Sequence, residues 1–193
     1  MRLKISAICS AAMLAACLCL PAYATTVLKM TLDDLATRAD RVFRGSVVSV
    51  EPGSVSVGGG SIPTVTYELL VQEQFKGSFP TAKDKTVVTV TMVGDLKQRD
   101  GTVGSMRRLS ALPDLPDLRV GHEYLLFTTR PSAGGLSTTV GLGQGAFKIY
   151  LSPNREELAA NELNNAGLFN GPVSYSTLAS AVRAALANQE APR

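Results

Sequence analysis

Few residues in this chain could carry chemistry, and their types narrow the possibilities. The 193 residues hold one histidine, His122, and three cysteines, Cys9, Cys17 and Cys19. One histidine excludes a two-histidine zinc site. A serine triad would have to take His122 as its base, yet it stands just after a turn, at the start of the apolar run Glu123-Tyr124-Leu125-Leu126, and no Gly-x-Ser-x-Gly elbow is present. His122 therefore reads as an exposed residue opening a strand. Asp114 and Asp117 could pair for glycoside chemistry, but they sit in a proline-punctuated loop and read as solvated turn residues. Gly141-Leu142-Gly143-Gln144-Gly145 has the look of a phosphate loop, without the lysine and without a helix after it. Arg107-Arg108 is an isolated basic pair and no basis for nucleic-acid binding.

The cysteines belong to a different kind of segment. Arg2 and Lys4 precede an uncharged apolar run from Ile5 to Leu20, broken at Pro21 and followed by Ala22-Tyr23-Ala24. A basic start, an apolar stretch too short to span a bilayer and small residues at Ala22 and Ala24 predict a secretory signal peptide over 1–24, cut before Thr25. The protein is then secreted or periplasmic, with no stable membrane insertion after cleavage. A second processing route is lipidation at Cys17, since Leu14-Ala15-Ala16-Cys17 has lipobox form; Leu18-Cys19-Leu20 carries the apolar run past it.

Cleavage at Thr25 removes 24 of 193 residues and leaves 169, all three cysteines gone. Two of the 19 basic residues go as well, so the charge falls from +3 to 17 against 16, or +1. A nearly neutral chain gains little from counterion release, which excludes nucleic acid as a partner. With no thiol left there is no redox pair and no thiolate metal site, and neither cofactor nor metal is expected. The length fits a single domain over 25–193.

The elements that must position these residues are mostly strands. Thr31 is an N-cap with Asp34 at the capping-box position, predicting a short helix over 31–39. Val42–Val50 alternates, placing Val42, Arg44, Ser46, Val48 and Val50 on one face and Phe43, Gly45, Val47 and Ser49 on the other. Residues 52–63 are rich in glycine, proline and serine and read as a loop around Gly58-Gly59-Gly60. Strands follow over 64–75 and 86–93. Residues 94–122 show no period and form a long loop of the kind that often carries function. Residues 123–129 form a strand apolar enough to be buried on both faces. Shorter strands are predicted at 136–142 and 146–150, a brief helix at 155–161 and a C-terminal helix over 176–188 with Leu178, Ala181, Val182, Ala185 and Leu186 as its apolar stripe. The whole is a mainly β fold, an OB-like five- to six-stranded partly open barrel with a short N-terminal helix and a C-terminal helix.

Within this pattern, Leu35-Ala-Thr-Arg-Ala-Asp40-Arg-Val-Phe-Arg44-Gly, Val65-Thr-Tyr67-Glu68-Leu and Phe75-Lys76-Gly77 resemble the netrin-like domain of tissue inhibitors of metalloproteinases. Glu123-Tyr124-Leu125-Leu126 with Gly134-Gly135-Leu136 resembles its later strand pair. Residues 119–127 and 140–148 are similar to a group of exported bacterial proteins of unknown role. The first resemblance implies that the mature N-terminus enters a metalloprotease cleft and holds its zinc through the α-amino group and first carbonyl. Those atoms would belong here to Thr25, with Thr26 and Val27 following as partner-contacting residues. The inhibitors pin that segment with disulfides, which a mature chain without cysteine cannot form. The expectation is an exported, non-enzymatic binding domain whose partner is another protein or a small extracytoplasmic ligand, possessing a metalloprotease-inhibitor-like character. The alternative is a small exported hydrolase working through carboxylates.

Overall fold

The structure, a computed structural model, describes residues 28–82, 84–98, 106–109 and 115–190. Ala22, Ala24, Thr25, Thr26, Val27, the cysteines and Asp114 lie outside the described residues.

The first helix, α1 (Leu32–Arg38), has the predicted capping box. Thr31 Oγ1 accepts from the Asp34 N–H and Asp34 Oδ2 accepts from the Thr31 N–H. The Thr31 N–H and then the Thr31 hydroxyl, both donating to Oδ2, hold the Asp34 carboxyl below its ordinary pKa. Two long strands follow, β1 (Arg41–Val57) and β2 (Gly60–Lys76), joined by Gly58-Gly59. Both turn residues have positive φ (57° and 82°), the geometry a two-residue hairpin needs to match strand twist. The loop expected over 52–63 is therefore strand. Local composition misled here: β1 has a ladder to β7 only as far as Ser46, so Pro52 lies where that flank carries no sheet partner.

Next come β3 (Thr81–Ala82), β4 (Lys85–Val93) and a separate ribbon of β5 (Asp95–Gln98) and β6 (Met106–Leu109). That ribbon falls inside the stretch that showed no period. After it stand β7 (Glu123–Thr128), β8 (Ala146–Leu151), β9 (Glu157–Ala160), β10 (Val173–Ser174) and the second helix, α2 (Tyr175–Glu190). Two expectations are corrected. Residues 136–142 make only a bridge, Thr139 to Thr128, before a tight 3-10 turn at Leu142–Gly145. Residues 155–161 contain β9, a strand rather than a helix, because they pair back onto β8.

Among the described residues the main sheet is antiparallel with the order β10-β9-β8-β7-β1-β2-β4-β3, its two ends sharing no ladder. Where five or six strands were expected, the described residues form ten, eight in this sheet and two in the ribbon, because short strands pair onto the sheet's edges; β8-β7-β1-β2-β4 make its centre. A backbone bond links the far sides: Ser137 N–H donates to the Thr91 carbonyl of β4 at 2.8 Å. The two faces bury separate cores. β7 divides between them as its apolar run predicted, sending Leu125 and Phe127 toward the helices and Tyr124 and Leu126 to the opposite face. β1 departs from simple alternation. Its register shifts between Val47 and Ser49, leaving Val48 as an extra residue, and Val50 packs with Phe43 and Val47 instead of with Val42. A bulge adds one residue to a period of two, so every later side chain changes face.

Candidate functional site

The residues 141–145, set aside as a phosphate loop, are the seat of the chain's first described segment. Gly141 has a left-handed φ of 63°, and a Cβ there would stand 2.6 Å from Met30 Sδ, so only glycine admits the segment this closely. Gln144 is buried in the 3-10 turn. Its Oε1 accepts from the Met30 N–H at 2.9 Å, and its Nε2 donates to the Leu28 carbonyl at 3.0 Å. One side-chain amide thus satisfies a backbone donor and a backbone acceptor two residues apart, as a neighbouring strand would. Met30 is buried against the helix-side core while Leu28 is 79% exposed.

Gln144 is itself held from behind. Its backbone carbonyl accepts from Asn161 Nδ2 at 3.1 Å. Asn161 and Asn165 then bond reciprocally: Asn165 Oδ1 accepts from the Asn161 N–H at 2.9 Å, and Asn161 Oδ1 accepts from the Asn165 N–H at 2.8 Å. Asn165 Nδ2 donates to the carbonyls of Ala159 and Gly171, both at 2.9 Å. Asn165 is fully buried, and its side-chain amide uses both of its donors. A buried amide costs little only when its bonds are made, and here they form a relay from Gly171 to Leu28. The sequence reading missed all three amides. Their one signal is placement: Gln144 lies between glycines, and the asparagines fall in the turn-rich stretch 161–170.

A second polar group braces the helices. Arg44 Nη2 donates to Glu123 at 2.7 Å, and its Nη1 and Nη2 donate to the two oxygens of Glu157 at 3.0 and 2.6 Å. The Arg44 guanidinium also lies 4.2 Å from the Tyr175 ring centroid. Burial alone would lower the Arg44 pKa, but the bonds to Glu123 and Glu157 hold it above its ordinary value. Glu157 is pushed down by its bond to Arg44. Tyr175 is raised by burial and then by its hydroxyl bond to Glu73, a carboxylate that also accepts from Arg183. The Phe75-Lys76-Gly77 run joins the same brace: Arg183 sits 5.0 Å from the Phe75 ring, and Lys76 Nζ donates to the Ala36 carbonyl at 2.7 Å near the end of α1. A carboxylate held ionised by a bidentate arginine accepts hydrogen bonds and does not deliver protons at neutral pH.

His122 is half-buried just before β7. Burial and then the charges of Lys148 and Arg119 lower its pKa, so the imidazole is neutral near pH 7. Its carbonyl accepts from the Val47 N–H at 3.0 Å, so the residue continues the β1–β7 edge. Asp117 pairs with Arg119 at 3.3 Å, in the irregular stretch just before the turn at Val120-Gly121. Arg107 and Arg108 occupy β6 opposite Lys97 and Leu96. The structure brings none of these to Gln144 or Arg44 through an ion pair or hydrogen bond among the described residues. No protein-family model, curated protein or solved structure matches the chain.

Proposed function

We propose that the protein is an exported, non-enzymatic binding domain on an OB-like, partly open barrel, which engages a protein partner through residues 25–27. The single observation that carries this reading is the grip of Gln144 on Leu28 and Met30. A segment that binds a cleft loses affinity to the entropy of ordering it, and fixing its root in advance removes part of that cost. In the inhibitors that Phe75-Lys76-Gly77 and the neighbouring motifs resemble, disulfides supply the root; here a buried amide takes that part. Thr25 stands three residues before Leu28, a reach of up to about 10 Å for extended chain. The barrel reading is supported by the order β8-β7-β1-β2-β4 and by the Ser137–Thr91 bond across its open side.

Export and removal of residues 1–24 belong to the same proposal, placing the mature chain in the periplasm or outside the cell with a free α-amino group on Thr25. The partner of first choice is a zinc endopeptidase. Hydrolysis through carboxylates is the weaker reading, since Glu157 is held ionised by Arg44. The test is a titration of a zinc endopeptidase with the chain starting at Thr25 and with the same chain carrying one extra residue before it. Inhibition by the first and its loss in the second is the expected outcome. Equal inhibition by both, or none by either, sinks the proposal.

A further inference from the structure

The relay that fixes the N-terminal segment ends at a bond whose chemistry is unlike that of its neighbours. The chain has asparagines at 154, 161, 164, 165, 170 and 188, and of these only Asn170 is followed by glycine. A glycine nitrogen is the least hindered backbone nucleophile, because no Cβ shields it. Asn170 is exposed in a turn with a left-handed φ of 55°, and a Cβ on Gly171 would meet nothing within 4 Å. Among the described residues the Asn170 side chain makes one hydrogen bond, a long one, its Oδ1 accepting from the Gly167 N–H at 3.4 Å. Asn161 and Asn165, by contrast, are buried with their amides bonded on both sides.

We infer that Asn170-Gly171 is a site of spontaneous backbone modification, and that its isoaspartyl product loosens the hold on Leu28 and Met30. The Gly171 nitrogen attacks Asn170 Cγ; the bond from Cγ to the side-chain nitrogen breaks, and that nitrogen leaves as ammonia with the proton released by Gly171. Water then opens the cyclic imide. Opening at one carbonyl gives aspartate. Opening at the other gives isoaspartate, in which the main chain runs through Cβ and is longer by one methylene. The net change is water in and ammonia out.

The position makes the added methylene matter. The Asn170 N–H donates to the Asn165 carbonyl at 3.1 Å, while the Gly171 carbonyl accepts from Asn165 Nδ2 at 2.9 Å. Lengthening the chain between these two bonds prevents both from keeping their geometry. Asn165 orients Asn161, Asn161 holds the Gln144 carbonyl, and Gln144 holds Met30 and Leu28.

The experiment ages the exported chain at mildly alkaline pH, maps isoaspartate by peptide mass spectrometry and follows amide exchange at Met30. The expected result is isoaspartate at 170 with Asn161 and Asn165 intact, and Met30 exchange faster by about five- to tenfold, the loss of one ordinary hydrogen bond from the relay. Asn170→Asp adds the charge without the methylene and should leave Met30 exchange at the wild-type rate. Asn170 surviving while other asparagines convert would overturn the site. IsoAsp at 170 with unchanged Met30 exchange, or Asn170→Asp matching the isoaspartyl form, would overturn the coupling. Neither readout involves a partner, so the outcome is independent of the binding reading.

Discussion

Replacing Gln144 by alanine isolates the anchor, and its cost can be worked from the two responses open to the chain. If Leu28–Met30 stays in place, the Met30 N–H becomes a buried donor without a partner, at about 1–3 kcal/mol. The Leu28 carbonyl adds little, because Leu28 is 79% exposed and water can replace the lost donor. If the segment instead peels away, the Met30 side chain leaves the helix-side core at about 1.5–3 kcal/mol. The chain takes the cheaper route, so the expected loss centres on about 2 kcal/mol, a fall in Tm of about 4–8 °C for a domain of this size. Differential scanning calorimetry measures the fall and amide exchange at Met30 localises it. Gln144→Glu sharpens the test. Its carboxylate still accepts from Met30 but sets a second oxygen against the Leu28 carbonyl, so burial and that repulsion raise its pKa in the folded state. A raised pKa contributes stability that is full below the unfolded value and lost as pH rises through the folded one. Gln144→Glu should therefore approach wild type below about pH 4 and fall away toward pH 7. A Gln144→Ala variant with unchanged Tm and unchanged Met30 exchange would refute the anchor.

Other parts of the structure carry their own expectations. Arg44→Met removes three hydrogen bonds to Glu123 and Glu157 and the contact with Tyr175; with the arginine side chain 15% exposed, the loss measured by urea denaturation should be about 1–3 kcal/mol. Because Glu157 has a lowered folded pKa, its contribution is present above the unfolded value of about 4.3 and is lost as pH falls through the folded one. The acid limb of the stability profile should flatten in Arg44→Met, and an unchanged limb would contradict the assignment. Lys76→Met should cost about 1 kcal/mol and raise exchange at the end of α1, where the Ala36 carbonyl loses its donor. Asn165→Ala removes three side-chain bonds, two of them buried, and should exceed Gln144→Ala in its effect on Tm.

Much of the scaffold was legible because its signals are local. Thr31 and Asp34 marked the start of α1 by a spacing of three, and the apolar run at 124–128 marked a strand buried on both faces. Where the reading failed, a distant partner decided the outcome. Glycine, proline and serine over 52–63 looked like a loop, yet the Gly58-Gly59 turn zips that stretch into β1 and β2. Residues 157–160 have no strong period of their own and become β9 because β8 offers an edge. The bulge at Val48 reverses Val50, which alternation cannot anticipate. The anchor was the least legible feature: Gln144 meets Met30 across 114 positions of sequence, and a buried amide has the same letter as an exposed one.

The proposed binding mode requires a free α-amino group on Thr25, three residues ahead of the root that Gln144 fixes. Determining the first residue and intact mass of the exported chain tests it most directly. The expected result is an unmodified chain beginning at Thr25, with residues 1–24 removed. A chain beginning at a lipidated Cys17, or one that retains its first 24 residues, would contradict it.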